Sequence, residues 1–520
     1  MGGGHNGLVA AAFYLARAGM RTPVLERRGI VGGACVTEGF APGYRASPGP
    51  TSCRCCGTPC GATCGCGSAG CASMRPGRRC TCIPTASFGS RRRPRSNRRR
   101  GPPASARDAR AFEAYESTLE RIARSLVLVR SGRDPRLRRV ADLPALARLG
   151  GLALTRRRDL GEIAYLFTAS AKRYLDERFE DELLKSALGW ESISNTLAGP
   201  STPGTAYGLL HEAASGGGSG GGVGWGFVRG GMGVVTALMA EAAREAGATI
   251  RTGASVASVR TAGDRATGVV LEDGEEIASA TVLSNADPKR TFLGLVGEER
   301  LPSAFVERVR SYRSDGASLK LNLAVAELPR LADDHGGDVR PYHRGLVQIT
   351  KPLADLDDDQ ASARRGVPAT TAHLEVCVPT VHDPSLAPEG RHVVTVGVRS
   401  QPYRLRDASW DDVRDDVADR AVARLGEHFP NLPGSVLHRE ILTPLDLERR
   451  LALTGGHHLH GDMSPDQLLF LRPVRGYADH RTPIRGLYLC GAGTHPGGGV
   501  TGANGRNGAR RVLGDLGRRR

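Results

Sequence analysis

The chain opens MGGGHNGLVAAAFYLARAG, three glycines at positions 2, 4 and 7 that lead without interval into an apolar helical stretch. That spacing is GxGxxG. Gly2 permits a tight turn, Gly4 lets backbone approach a pyrophosphate, and Gly7 lets the helix pack closely while its free N–H groups face the anion. Twenty-two residues after Gly4, the apolar run TPVLE ends on Glu26, where a carboxylate at a strand tip accepts from ribose hydroxyls. The stretch GIVGGACVTEG at 29–39 adds Gly32 and Gly33 as a second close approach of backbone. A dinucleotide site on a parallel sheet follows. The strand expected ahead of the turn is missing, because Met1 abuts Gly2.

A second glycine-dense segment lies near the other end. The apolar strand GLYLC runs into GAGTHPGGGVTGANG and then into the helix GRNGARRVL, within residues 486–513. Backbone this rich in glycine fits against a ligand, and a helix start near Val500–Ala503 can direct N–H groups at an anion. Gly491, Gly493, Gly499, Val500 and Thr501 are the candidates there. Between the two segments, GGMGVVTALMAEAAREAG predicts a helix with Val235, Leu238, Met239 and Ala242 on one face, followed by the strand ATIRTGASVASV.

A length of 520 residues suggests two domains, since single cores stop growing at about 250–300 residues. No apolar run approaches the roughly 18 residues of a membrane span, which leads us to expect a soluble, cytoplasmic protein without a secretion signal. The formal charge of +17 would suggest nucleic acid as partner, but 12 of the arginines fall in 51–107, which holds no acidic residue. Nine of the 12 cysteines lie there too, between Cys53 and Cys82. Three readings compete for this irregular, Cys/Arg-rich stretch. Cys53, Cys56, Cys60 and Cys64 could hold zinc, or 91–100 could be an arginine arm attracting phosphate. The favoured reading is a frameshift, because 66 Arg against five Lys points to GC-rich codons, which out of register yield mainly Arg, Gly, Pro, Ala, Ser and Cys. No specific nucleic acid is expected.

The two glycine segments, together with GGMGVVTALMAEAAREAGATIRTGASV, GVVLEDGEEI and SNADPKRTF, resemble those of phytoene dehydrogenase-related, amine oxidase-like FAD proteins. The resemblance covers roughly 1–50 and 108–520. It implies an α/β fold: a Rossmann-like, glutathione-reductase-type FAD domain from 1–50, 226–295 and 480–520, and an α+β substrate domain from 108–225 and 296–479. FAD contacts are expected at Gly2, Gly4, His5, Asn6, Gly7, Glu26, Arg27, Gly32, Gly33 and Ala34, at Val256 by its backbone near the adenine, and at Gly491, Gly493, Gly499, Val500 and Thr501. Eukaryotic members imply a mitochondrial location.

Within 108–224, Phe112, Tyr115, Leu119, Ile122 and Leu126 recur at helical spacing as core, and 318–326, 344–350, 370–378 and 391–399 predict strands of a substrate-domain sheet. Among His457, His458 and His460, His457 and His460 stand at i and i+3 but no third ligand is evident, so no metal is assigned; the GDMS segment that follows is placed by the resemblance near flavin and substrate. Cys35 stands alone, without the CxxC of a disulfide reductase. The expected activity is dehydrogenation or desaturation of a small, apolar or amine substrate, hydride passing to flavin N5, with catalytic residues and electron acceptor unassigned. A non-catalytic flavin-bound regulator and a defective gene product are the alternatives. Peripheral membrane or homo-oligomer contact stays open.

Overall fold

The Gly2–Gly7 turn sits at the meeting point of two short parallel strand pairs. The computed structural model describes residues 1–49, 82–84, 105–131, 157–215, 226–334, 336 and 338–517. Pro23–Leu25 pairs with Thr249–Arg251, and Val282–Ser284 pairs with Leu487–Leu489, both in parallel. Met1 and Gly2 lie between the pairs: the Met1 amino group donates to Leu283 O at 2.8 Å, Asn285 N donates to Met1 O at 2.9 Å, and Gly2 N donates to Leu25 O at 2.8 Å. These bonds tie Met1 and Gly2 to both pairs. Burial lowers the pKa of the Met1 amino group below its ordinary value.

The helix after the turn spans residues 5–17, with Leu8–Leu15 wound as a π-helix. It is apolar nearly all round because it is covered on two sides: Leu8 and Val9 pack with Val235 and Met239 of the Gly233–Glu245 helix, and Ala10 and Leu15 with Ala509 and Val512 of the C-terminal helix, Ala503–Asp515. In Gly233–Glu245 the buried face is Val235, Thr236, Met239, Ala240 and Ala243, turned from the expected stripe, since Leu238 and Ala242 are only partly buried. The stretch expected as one strand, ATIRTGASVASV, is split: Thr249–Arg251 joins Pro23–Leu25, while Val256–Ala262 forms an antiparallel sheet with Arg265–Leu271 and Glu276–Ala278.

The second sheet is five-stranded and antiparallel, in the order Val347–Ile349, Leu374–Cys377, His392–Arg399, Ser318–Val325, Val436–Leu442. Four of these were expected from alternation. Val436–Leu442 was not, because the run His438, Arg439, Glu440 breaks the alternation and only Ile441 and Leu442 are buried. Leu319, Leu321, Leu323, Val394, Val396 and Val398 make one face, buried with Trp410, Val417, Ala418, Ala421 and Leu425 of the Trp410–His428 helix. Alternation therefore sends Lys320, Asn322, Thr395, Arg399, Glu375 and Cys377 to the other face.

A helical layer, Ala106–Ser131 with Arg157–Thr168, Ala171–Asp176, Glu182–Ile193 and Ala206–Ser215, packs around Tyr115, Leu119, Ile122, Tyr174 and Leu210 and meets this second face through Trp190, whose indole N–H donates to Glu375 at 2.9 Å. The expected core residues of the first helix are in that cluster, with Phe112 at its edge; the Leu126 side chain lies outside the described residues. Asp108 ties two helices together, its carboxylate accepting from Glu180 N at 3.0 Å and Asp181 N at 2.8 Å. Among the described residues, no helix is long and apolar enough to cross a membrane. Of 51–107, only Cys82–Pro84, which pairs with Gly226–Val228, and 105–107 are described, so the zinc, arginine-arm and frameshift readings lie outside the described residues.

Candidate functional site

Backbone crowding defines the first half of the site. A Cβ on Gly7 would stand 2.1 Å from Gly2 O, and one on Gly505 would stand 2.2 Å from Asn6 O. The helix can close on its own turn, and the C-terminal helix on both, only where side chains are absent. Glu26, buried at the tip of its strand, accepts from Gly3 N at 2.7 Å and from Arg28 N at 2.9 Å. Gly32 N donates to Gly3 O at 2.9 Å, bringing the 32–33 turn against the first one, and Gly33 stands beside Gly4.

The two glycine segments converge. His5 Nε2 meets Gly499 O at 3.1 Å, and Asn285 spans the gap, its side chain against Gly2 and Gly4 and its carbonyl against Gly491. Gly493 packs on Pro288, Thr501 Oγ1 accepts from Ala503 N at 3.3 Å, and Val500 joins the cluster around Leu8. Three expected contacts lie at the margin of this crevice. Arg27 is turned toward another element, donating to Arg450 O at 2.5 Å; Ala34 packs beside Leu442, Leu447 and Leu451; the Val256 side chain lies against the core around Leu25 and Phe292.

Residues unassigned in the sequence complete the crevice. Asn285 came within the SNADPKRTF motif, but its place between the turns is set by long-range pairing that no local pattern carries. Asn504 donates to Thr494 O at 2.8 Å, and its Oδ1 is buried without a hydrogen-bond partner, as are Asn6 Oδ1 and Asn507 Nδ2. Buried amide atoms of this kind cost free energy until something pairs with them. Arg472, fully buried, donates to the carbonyls of Leu459 at 2.8 Å, Asp462 at 2.8 Å and Ala492 at 2.9 Å, and so clamps the 457–473 stretch onto the second glycine segment.

Residues 454–458 run from beside Asp287 to the neighbourhood of the second sheet. Thr454 Oγ1 donates to Asp287 Oδ2 at 2.7 Å at one end, and His457 and His458 line an internal cavity at the other. His457 Nε2 stands 3.5 Å from Asp462, and its Nδ1 accepts from Leu459 N. Among the described residues, no group of three His, Cys, Asp or Glu is placed to share a metal. On the sheet, burial lowers the pKa of Lys320 to about 8, and its Nζ donates to the carbonyls of Ser47 and Gly49; burial pushes the Cys377 thiol up to about 12.

Burial lowers the imidazole pKa values of His5, His460 and His480 to about 4 and of His373 and His458 to about 3, from the ordinary 6.5. A depressed folded-state value means that the unfolded chain takes up these protons first. Stability should therefore be full above pH 6.5 and fall steadily toward pH 4. Thermal melts from pH 7.5 down to 5 check this; a flat profile would contradict the burial of these rings.

This architecture, a split parallel sheet with a glycine-lined crevice joined to an antiparallel sheet roofed by helices, is that of a flavoprotein. The chain belongs to the flavin containing amine oxidoreductase family, whose pattern matches residues 7–513, and it is an FAD-dependent oxidoreductase. Pyridine nucleotide-disulfide oxidoreductase domain-containing protein 2 of Mus musculus is 37% identical to it over 563 residues, covering 99% of this chain and 93% of that protein. A lycopene-forming phytoene desaturase of a Paracoccus species is 28% identical over 63% of this chain and 61% of its own length. A putrescine oxidase structure shares the fold at a TM-score of 0.57 and 15% identity, covering all of this chain and 98% of its own. These comparisons lend the frameshift reading no support.

Proposed function

We propose that the protein dehydrogenates a small organic molecule held between the second sheet and the glycine crevice, with FAD bound along that crevice. The carrying observation is the convergence of Gly2–Gly7, Glu26, Gly32–Gly33 and Gly491–Gly499 around Asn285, with buried amide atoms of Asn6, Asn504 and Asn507 awaiting partners. The donor set fits the group: N–H groups at the start of the 5–17 helix suit a pyrophosphate, Glu26 suits a ribose, and the Asn504 acceptor suits an N–H of the flavin ring. FAD held there would supply a two-electron acceptor for dehydrogenation of the substrate.

The protein's own residues position and exclude. Arg472 fixes the 457–473 wall, the helical layer keeps water from the sheet face, and the 454–458 segment sets the distance between the two compartments. No side chain is assigned as base. The test is anaerobic mixing of the FAD-loaded protein with carboxylate-bearing, amine and hydrocarbon substrates. Bleaching of the flavin by one class is expected; a flavin that dithionite reduces but that no class reduces would overturn the proposal.

A further inference from the structure

Beside the 454–458 segment, at the edge of the helical layer, lies a cavity of about 20 Å³, space for one or two water molecules. Its wall is polar: Asn195, Thr196, Asp315, Ser318, Gln360 and His458 contribute to it. Gln360 is only 1% exposed, and its amide Oε1 is buried with no hydrogen-bond partner. A buried amide oxygen in that state costs free energy until a donor reaches it, and water in the adjoining space supplies one.

The cavity has an inner and an outer end. His458, on the inside, is exposed, yet desolvation holds its imidazole at a pKa of about 3, so the surface it bares faces an enclosed chamber and not bulk water. Its place is fixed from both sides. It stacks on His457 with ring centroids 5.7 Å apart, the next residue, Leu459, packs on Gly498 of the second glycine segment, and the sheet charges within its reach are those of Arg399 and Glu375. His458 therefore stands between the crevice and the sheet, where the substrate is seated in the reading above. Asp315, at the outer end, is exposed on the turn that leads into Ser318–Val325, and backbone pairing holds that turn to Gly455 and Gly456.

We propose that this cavity is the proton outlet of the reaction chamber, with water held by Gln360 bridging His458 inside to the Asp315 carboxylate outside. The inference rests on the FAD-dependent reading above. Dehydrogenation removes two electrons and two hydrogens from the substrate; both electrons and one hydrogen go to the flavin, and the second hydrogen must leave the chamber as a proton. It forms an N–H bond at one ring nitrogen of His458 while the N–H at the other gives its proton to the water, which passes it to Asp315 and so to solvent. An imidazole kept neutral by burial relays the proton without trapping it. The same route runs inward when the flavin is reduced without substrate, because each two-electron reduction then takes up a proton.

The test reads that inward proton. FAD-loaded protein is mixed without air with the methyl viologen radical, which brings electrons and no proton, and proton uptake is followed with a pH-indicator dye beside the bleaching of the flavin. In the parent, uptake should keep step with bleaching. In FAD-loaded Asp315→Asn and Gln360→Leu it should lag at least about tenfold behind, and Asp315→Glu should restore the parent's rate. A crystal structure should also show ordered water within hydrogen-bond reach of the Gln360 amide. Variants that take up the proton as fast as the parent, or a dry cavity, would overturn the proposal. Protein that takes up no FAD would overturn the underlying flavin reading instead, an outcome visible before any reductant is added.

Discussion

Gly7→Val is expected to abolish the cofactor site while leaving the second sheet folded. The new Cβ would lie 2.1 Å from Gly2 O and 3.4 Å from Asn285 Cβ, and the Gly2 peptide is held in place, Gly2 N by Leu25 O and Gly3 N by Glu26. Relief requires the turn to open, which costs at least the ~1–3 kcal/mol of an overpacked core and removes the N–H groups from a pyrophosphate. FAD affinity should drop by about 100-fold or more, equivalent to roughly 2.7 kcal/mol. Gly161→Ala is the matched comparison. Nothing lies within 4 Å of its would-be Cβ in the Arg157–Thr168 helix, so it should gain about 0.5–1 kcal/mol in stability and keep its FAD.

Arg472→Leu carries the second large effect, on stability. Its guanidinium is fully buried, lies 5.7 Å from the Tyr312 ring and meets no carboxylate; its partners are carbonyl oxygens of Leu459, Gly461, Asp462, Gln467 and Ala492. Leucine fills part of the volume but leaves these acceptors dry and unpaired, at about 1–3 kcal/mol each for those that water cannot reach. A loss of at least about 3 kcal/mol in urea unfolding is expected, with the 457–473 segment gaining protease sensitivity. Lysine, with a point charge and no planar fork, should recover only part of it. An Arg472→Leu protein as stable as the parent would show that the clamp contributes nothing.

What could be read from the sequence divides along the range of the interactions involved. The Gly2, Gly4, Gly7 turn and Glu26 were legible because spacing along the chain fixes their geometry, and the 486–513 segment because so much glycine has few other uses. The strands 318–325 and 392–399 alternate cleanly, since one face meets the Trp410–His428 helix. Val436–Leu442 was illegible because His438, Arg439 and Glu440 interrupt its alternation and its place at the sheet edge is set by pairing with Ser318–Val325. Asn285, Arg472 and the Trp190–His373 pair gave no local signal either, as each acts on residues far away in sequence: Arg472 on a fold-back of the chain, His373 on a helix some 180 positions earlier.

The claim that the chain is built around one FAD is tested most directly by titrating the purified, flavin-free protein with FAD and following the quenching of flavin fluorescence. The account predicts a sharp end point at one FAD per chain, and with it the yellow absorption of bound flavin that survives gel filtration. Fluorescence that falls without an end point, or that responds identically in Gly7→Val, would contradict it.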